Sequence, residues 1–308
     1  MNDKEPLKKS ILSTLALFAA QDQAVTLLEL QKSLVRAREE QTSPGLLQLE
    51  NFIAEEMGDE VVGRGGLYAL ADFSHTIKMR ADKYLSTTRL FKKAERFARG
   101  LRHLPYVRAA AISGSSAQMN ARDSSDIDLF IIVEPGHIFT ARFLVSAYFQ
   151  ILGMRRYGTK ITSRFCLNHY VTVGAMLPDD HTLYTAMLYS SFLSLFGSGY
   201  IKDFWQRNLA WISQFFLQAS LPQSHVLEHA PEAASSIARA GETLLIPLSG
   251  FLEKFLGRLQ KKRIHESRFV VVSERELAFH PDSKGQRILE SYEAILAGLG
   301  QKTYNPPT

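Results

Sequence analysis

Residues 112–133 read ISGSSAQMNARDSSDIDLFIIV. Ile127, Leu129 and the run Phe130, Ile131, Ile132, Val133 have the composition of a buried strand, yet Asp126 and Asp128 stand at its start. Carboxylates are costly in an apolar setting unless a cation or a metal compensates them. Residues two apart in a strand share a face, so these two aim side by side. Like charges that close repel unless a divalent cation lies between them. Gly114 permits close approach of the backbone to a ligand. Ser115 and the N–H groups after it fall at a helix start, a place suited to phosphate. The pattern predicts a Mg²⁺ clamp made by Asp126 and Asp128. A triphosphate pocket formed by Gly114, Ser115 and Ser116 adjoins it. Arg122, in the loop between, faces either a phosphate or water.

Outward from this stretch, 106–116 reads as a strand running into Gly-Ser, and 126–134 as a second strand. Residues 138–153 form a helix stopped by Gly153, and SRFCLNHYVTV at 163–173 is a third strand. Strand, Gly-Ser, ten intervening residues and Asp-x-Asp in the next strand together resemble the nucleotidyltransferase superfamily related to DNA polymerase beta. The resemblance covers residues 105–175. It implies an α+β fold with a small mixed sheet, and Mg²⁺-dependent transfer of a nucleoside monophosphate from NTP to a hydroxyl of unidentified acceptor. Such proteins add a third carboxylate on the following strand, and here the matching position in FCLNHYV is Asn168. The implied catalytic set is therefore Asp126, Asp128 and Asn168. An amide oxygen can ligand Mg²⁺ but supplies no negative charge and accepts a proton poorly. An NTP-binding pseudoenzyme or regulatory module is thus the alternative to an enzyme, and Glu134, Asp179 or Asp180 are the carboxylates to test as substitutes. By alternation Cys166 shares the face of Asn168, and His169 takes the opposite one.

Before the motif, helices are expected at 7–20, 26–36 and 43–57, the second with Thr26 and Glu29 as a capping box and the third with Pro44 in its first turn. A hairpin around Gly65-Gly66 follows at 60–72. This is a winged-helix-like unit over residues 1–75. A long amphipathic helix at 76–103 should bury Tyr84, Phe91, Ala94, Phe97, Ala98 and Leu101 and present Arg89, Lys92, Lys93, Arg96 and Arg99. It opens a nucleotidyltransferase-like domain over 76–178. The remainder, 179–308, is expected to be mainly helical: 182–196, 201–219, 231–240 and 243–262, then a strand at 268–274 and a helix near 284–299. His280 is read as a turn residue, an Arg258–His265 pair as no site, and the tail from Lys302 as loose.

The chain of 308 residues carries 36 Lys and Arg against 31 Asp and Glu. The excess is local. Residues 1–80 hold nine basic and twelve acidic groups, and 81–108 hold eight and two. Between Pro135 and Pro178 lie Arg142, Arg155, Arg156, Lys160 and Arg164 with no acidic residue. Positive charge around the motif implies an anionic ligand. The acidic balance of the first unit, with Glu50, Glu55 and Glu56 on its third helix, argues for a protein-interaction surface and against duplex DNA. One cysteine excludes an internal disulfide and points to a cytoplasmic protein. SILSTLALFAA after Lys8-Lys9 has the outline of an export signal. Asp3 and Glu5 in the would-be basic region favour a helix instead. Residues 182–201 lack formal charge, but eleven of the twenty are Thr, Ser, Tyr or Gly, too polar for a bilayer span.

Overall fold

The computed structural model describes residues 4–38, 41–219, 234–264, 270–279 and 284–301. His265, His280 and the tail from Lys302 lie outside the described residues.

The chain opens with α1 (Lys4–Ala19), β1 (Val25–Thr26), α2 (Leu27–Lys32), α3 (Leu46–Glu56), β2 (Val61–Arg64) and β3 (Leu67–Leu70). β1, β3 and β2 form an antiparallel sheet in that order. β1, which sequence periodicity did not reveal, is two residues long. The capping box is present: Thr26 Oγ1 accepts from Glu29 N–H, and Glu29 Oε2 accepts from Thr26 N–H at 2.8 Å. α3 starts at Leu46 with Gly45 as its N-cap, so Pro44 precedes the helix instead of standing in its first turn.

α4 (His75–Ala98) runs into a 3₁₀ turn at Arg99–His103. Phe91, Ala94, Ala98 and Leu101 are buried as expected, but Tyr84 is 53% exposed. In its place the inward side of the first half carries Thr76, Arg80, Lys83 and Thr87. That half packs on polar groups. Arg80 Nη2 pairs with Glu29 Oε1 at 2.5 Å, Lys83 Nζ donates to Asn120 Oδ1 at 2.9 Å, and Thr87 Oγ1 accepts from Ala121 N–H.

The central sheet follows: β4 (Val107–Ser113), the single turn α5 (Gly114–Ala117), β5 (Ile127–Val133), α6 (Ile138–Ile151) and β6 (Phe165–Thr172). Then come α7 (Leu183–Ser190), β7 (Leu193–Phe196), α8 (Ser198–Phe215), α9 (Ser236–Leu245), a 3₁₀ turn at Ile246–Leu248, α10 (Ser249–Arg263), β8 (Val270–Val272), β9 (Glu276–Phe279) and α11 (Lys284–Gly298). Six strands lie in the order β7-β4-β5-β6-β9-β8, with β5 and β6 parallel and the other neighbours antiparallel. The fold is α+β with small mixed sheets. The expected helix over 182–196 is instead a two-turn helix and an edge strand, and the expected strand at 268–274 is one arm of a hairpin. Phe192, Leu195 and Phe196 suit either geometry by hydrophobicity; the pairing of Ile112 with Leu193 and Ala110 with Phe196 decides for strand.

Each face of the sheet has its own core. Phe130, Ile132, Ala109, Ala111 and Val171 point to one side, against α7, α8, α11 and the N-terminal helices. Ile131, Val133, Ala110, Ile112 and Tyr170 point to the other, where α4, α6 and Leu256 of α10 cover them. The first core runs without a break from Leu7 in α1 to Leu296 in α11.

Candidate metal and nucleotide site

Asp128 is the one residue of β5 that is not fully buried, and it pairs in register with Ser113 of β4 and Cys166 of β6. It lies on the face of Phe130 and Ile132. Asp126, just before the strand, brings its carboxylate alongside. Ligand atoms of Asp126, Asp128 and Cys166 all fall within 4.8 Å of one another, and among the described residues this is the only such group of His, Cys, Asp or Glu.

Gly114 serves this pair directly. Its φ is +64°, a conformation that side chains disfavour, and a Cβ there would lie 2.5 Å from Asp128 Oδ2. The close approach expected between backbone and ligand is thus already made between backbone and a carboxylate. Burial first, then the neighbouring Asp126, pushes Asp128 up to about 6. Burial, with Asp128 and Asp126, also pushes the Cys166 thiol up, so it stays protonated at neutral pH.

Arg156 closes the outer side. Its Nη1 donates to Asp126 Oδ2 at 2.6 Å and lies 3.4 Å from Cys166 Sγ. Of the other cations near the third strand, Arg164 donates to the Gly153 and Arg155 carbonyls, Lys160 sits over the Tyr157 ring, and Arg142 meets Gln260 and the Phe279 ring.

Asn168 reaches the pair: its Nδ2 lies 3.4 Å from Asp128 Oδ1. A β-bulge follows Cys166 on β6. Between Asp128 and Phe130 on β5 there is one residue, but between Cys166 and His169 on β6 there are two. The extra residue breaks the alternation. His169, expected on the opposite face from Asn168, therefore joins the same face, with its ring edge-on to Phe130 at 5.0 Å and Nε2 3.0 Å from Glu276 Oε1. The three candidate substitutes lie elsewhere. Glu134 is at the far end of β5, bonded to Arg108 at 2.8 Å. Asp180 senses His181, Glu276 and His169, and Asp179 is exposed.

A cavity of about 330 Å³ opens nearby; Ser115 and Ser125, the chain neighbours of Gly114 and Asp126, line it, but neither aspartate nor Gly114 does. Ser115, Gln118, Asn120, Arg122 and Ser125 of the motif line one wall, Ala20, Gln21 and Asp22 a second, and Lys284, Arg287 and Ile288 of α11 a third. Arg122 Nη2 pairs with Asp22 Oδ2 at 2.7 Å. Lys284 is near enough to Asp128 to favour its ionised form, while the buried Tyr184 is held in its phenol form by burial and by Asp128. Ser116 is buried, its Oγ has no hydrogen-bond partner, and it does not line the cavity. Sequence reasoning singled out Gly114, Ser115, Arg122 and the aspartates. It did not foresee Arg156 on Asp126, nor the walls from α11 and the α1–β1 turn. Local charge patterning marked Arg156 as one of five cations without choosing it; nothing in the sequence marks Lys284 or Asp22.

The residues fit a hard divalent cation. Mg²⁺ is held by one or two carboxylates together with phosphate oxygens and waters, which Asp126 and Asp128 satisfy. A protonated thiol and an amide add no charge. No family model matches the chain, and neither a curated protein nor a solved structure does.

Proposed function

We propose that this chain binds a nucleoside triphosphate with Mg²⁺ and transfers its nucleoside monophosphate slowly to a hydroxyl acceptor, the acceptor oxygen bonding to the α-phosphorus as the α–β anhydride bond breaks and pyrophosphate leaves. The observation that carries the reading is the pairing of Asp126 and Asp128 beside Gly114, with Lys284 both acting on Asp128 and lining, with Arg122 and Arg287, a neighbouring cavity. Asp126 and Asp128 would hold the ion, which supplies neutralisation of phosphate charge and activation of an attacking hydroxyl. Arg122, Lys284 and Arg287 favour an anion in the cavity, and Asp22 lowers that preference by one charge. Arg156 already neutralises Asp126, so an ion must share or displace that guanidinium.

A second reading, a nucleotide-binding module without turnover, is favoured by Asn168. The position beside Asp128 where a third carboxylate would lie holds an amide. Two experiments test the readings, the first both together and the second one against the other. Titration calorimetry with ATP or GTP should show binding that requires Mg²⁺ and is lost in Asp126→Asn; binding that survives chelator or that substitution defeats both readings. Single-turnover release of label from α-labelled NTP should be slow in the wild type and faster in Asn168→Asp, by about ten- to a hundredfold if the missing charge is what limits transfer. No release from either protein, with binding intact, leaves the module.

A further inference from the structure

α9 and α10 present an outward face of a different kind. Leu244, Ile246, Leu248, Phe251, Phe255 and Leu259 are all exposed, Leu244 at 79% and Phe251 at 67%. They run from the last turn of α9 through the 3₁₀ turn into α10, with Ile237 one further step back along α9. A connection between helices is ordinarily polar; this one reads LLIPL. On α10, Phe251, Phe255 and Leu259 form a stripe at four-residue spacing. Lys254, Arg258 and Lys262 form a second stripe beside it at the same spacing.

The opposite side of the hairpin is committed inward. Residues 236–263 contain six basic and two acidic side chains, and both acids are used to fasten the hairpin to the body. Glu242 bonds the Arg108 guanidinium and the Tyr106 N–H. Glu253 accepts from the N–H groups of Phe139 and Thr140 at 2.9 Å each. Leu256 is buried, and a Cβ on Gly257 would press on the Phe139 ring at 3.1 Å. The apolar face therefore cannot be turned into the core. The charged side chains that remain outside are cations only, Arg239, Lys254, Arg258, Lys261, Lys262 and Arg263, beside the large apolar groups and the hydroxyls of Ser236 and Thr243.

We propose that the α9–α10 hairpin is a docking surface for a bilayer carrying anionic headgroups, with Leu244, Ile246, Leu248, Phe251 and Phe255 entering the headgroup–acyl boundary and the flanking lysines and arginines meeting lipid phosphates. A helix that lies in an interface combines an apolar face with Lys and Arg at its border, and binding grows with both contributions. Charge complementarity selects this occupant. A second copy would set six cations against six. A nucleic acid would pair with the cations but gain nothing from Phe251 or Leu244. The apolar groups are spread over helix, turn and helix rather than along one ridge, which suits a fluid surface with no register to match. The hairpin covers the α6 side of the sheet, while Asp128 faces the α7–α11 side, so docking leaves the carboxylates and their cavity open. No described helix is long and apolar enough to cross a membrane; the contact is with the surface.

The test is co-sedimentation of the full chain with phosphatidylcholine vesicles, with and without about a third phosphatidylglycerol. Binding to the anionic vesicles should exceed binding to the neutral ones by at least about tenfold and should fall away in roughly 0.5 M salt. Phe251→Ser with Phe255→Ser, and separately Lys254→Glu with Arg258→Glu, should each reduce it by about tenfold or more at unchanged melting temperature, since all four side chains are exposed. Equal binding to both vesicles, or wild-type binding by both variants, overturns the proposal. So does failure to pellet with either, which would leave the face to an acidic protein. A dimer dissociated by Phe251→Ser, with no vesicle binding, assigns the face to a second copy and overturns it as well.

Discussion

Asp128 is where the sequence pattern and the electrostatics meet. Its carboxyl is pushed up to about 6 by burial and by Asp126, so the folded protein holds this proton more tightly than the unfolded chain does. The stabilisation from that proton is complete below the ordinary carboxylate range and is lost as pH rises through about 6. At neutral pH the ionised pair is a burden that the divalent cation of the proposed function would relieve. Mg²⁺ with nucleotide should therefore raise the melting temperature by several degrees at pH 7.5 and little at pH 5. Asp128→Asn should raise the apo melting temperature at pH 7.5 by roughly 2–5 °C and abolish the Mg²⁺ shift. Thermal melts at the two pH values, with and without metal, check both. Gly114→Ala makes the complementary case. It places a methyl in a left-handed position against Asp128 Oδ2, and should cost about 1–3 kcal/mol and weaken Mg²⁺-dependent nucleotide binding, read by denaturant titration and calorimetry. At this scale the sequence was informative wherever the signal was local. The aspartates and Gly114 sit within one motif, while Asn168 is reached only through the resemblance, and the structure brings all four together. Arg156 and Lys284 reach it through folding, and no spacing rule connects them to Asp126.

An element can be legible while the group that satisfies its end is not: α6 falls where the sequence placed a helix, but its cap is remote. α6 has His137 at its N-cap with no side-chain cap of its own. Its first N–H groups are instead satisfied by Glu253, more than a hundred residues later on α10, which also accepts from Thr140 Oγ1 at 2.7 Å. Negative charge at a helix N-terminus is favourable twice over, through hydrogen bonds and through the helix dipole. Glu253→Ala should destabilise the protein by about 1–3 kcal/mol, whereas Glu290→Ala on the exposed side of α11 should stay within ~0.5 kcal/mol. Chemical denaturation of both variants gives the comparison; equal losses would mean that Glu253 does not cap α6. The same remoteness explains the misread elements. The turn within 182–196 has no Gly or Pro, so its apolar residues follow a helical period until the edge of β4 recruits Leu193–Phe196. The bulge in β6 is invisible to alternation because it is set by pairing with β5. α4 was legible only where its partners are apolar; toward its N-terminus Arg80 and Lys83 go inward because Glu29, Asn120 and the Asp22 carbonyl await them.

Across the whole molecule, the three-part division suggested by composition meets a core that crosses its boundaries. α1 contributes Ile11, Leu12 and Leu15 to the cluster that also holds Phe130 of the sheet, Phe204 of α8 and Tyr292 of α11. Ser13 Oγ and Tyr292 OH lie 3.0 Å apart at its centre. Polar contacts reinforce the join beside the cavity, where Gln23 Nε2 donates to the Gln118 carbonyl and Asn120 Nδ2 to the Gln21 carbonyl, each at 2.9 Å. Residues 1–75 therefore share one buried apolar cluster with the remainder of the chain. The described residues should unfold together. Calorimetry should give one transition whose measured enthalpy equals the van't Hoff value. Leu15→Ala and Phe204→Ala, at 2% and 0% exposure on opposite sides of the shared core, should each cost about 3–5 kcal/mol and lower that single transition alike. Separate domains would respond differently: Leu15→Ala would split off an early transition and leave the later one in place. The cavity carries the same logic into function. Its walls come from the α1–β1 turn, the motif and α11, so a ligand that binds there stabilises all three. Mg²⁺–nucleotide should raise the melting temperature of Leu15→Ala as a single shifted transition. A ligand shift confined to one of two transitions would show that the N-terminal unit is not part of the site.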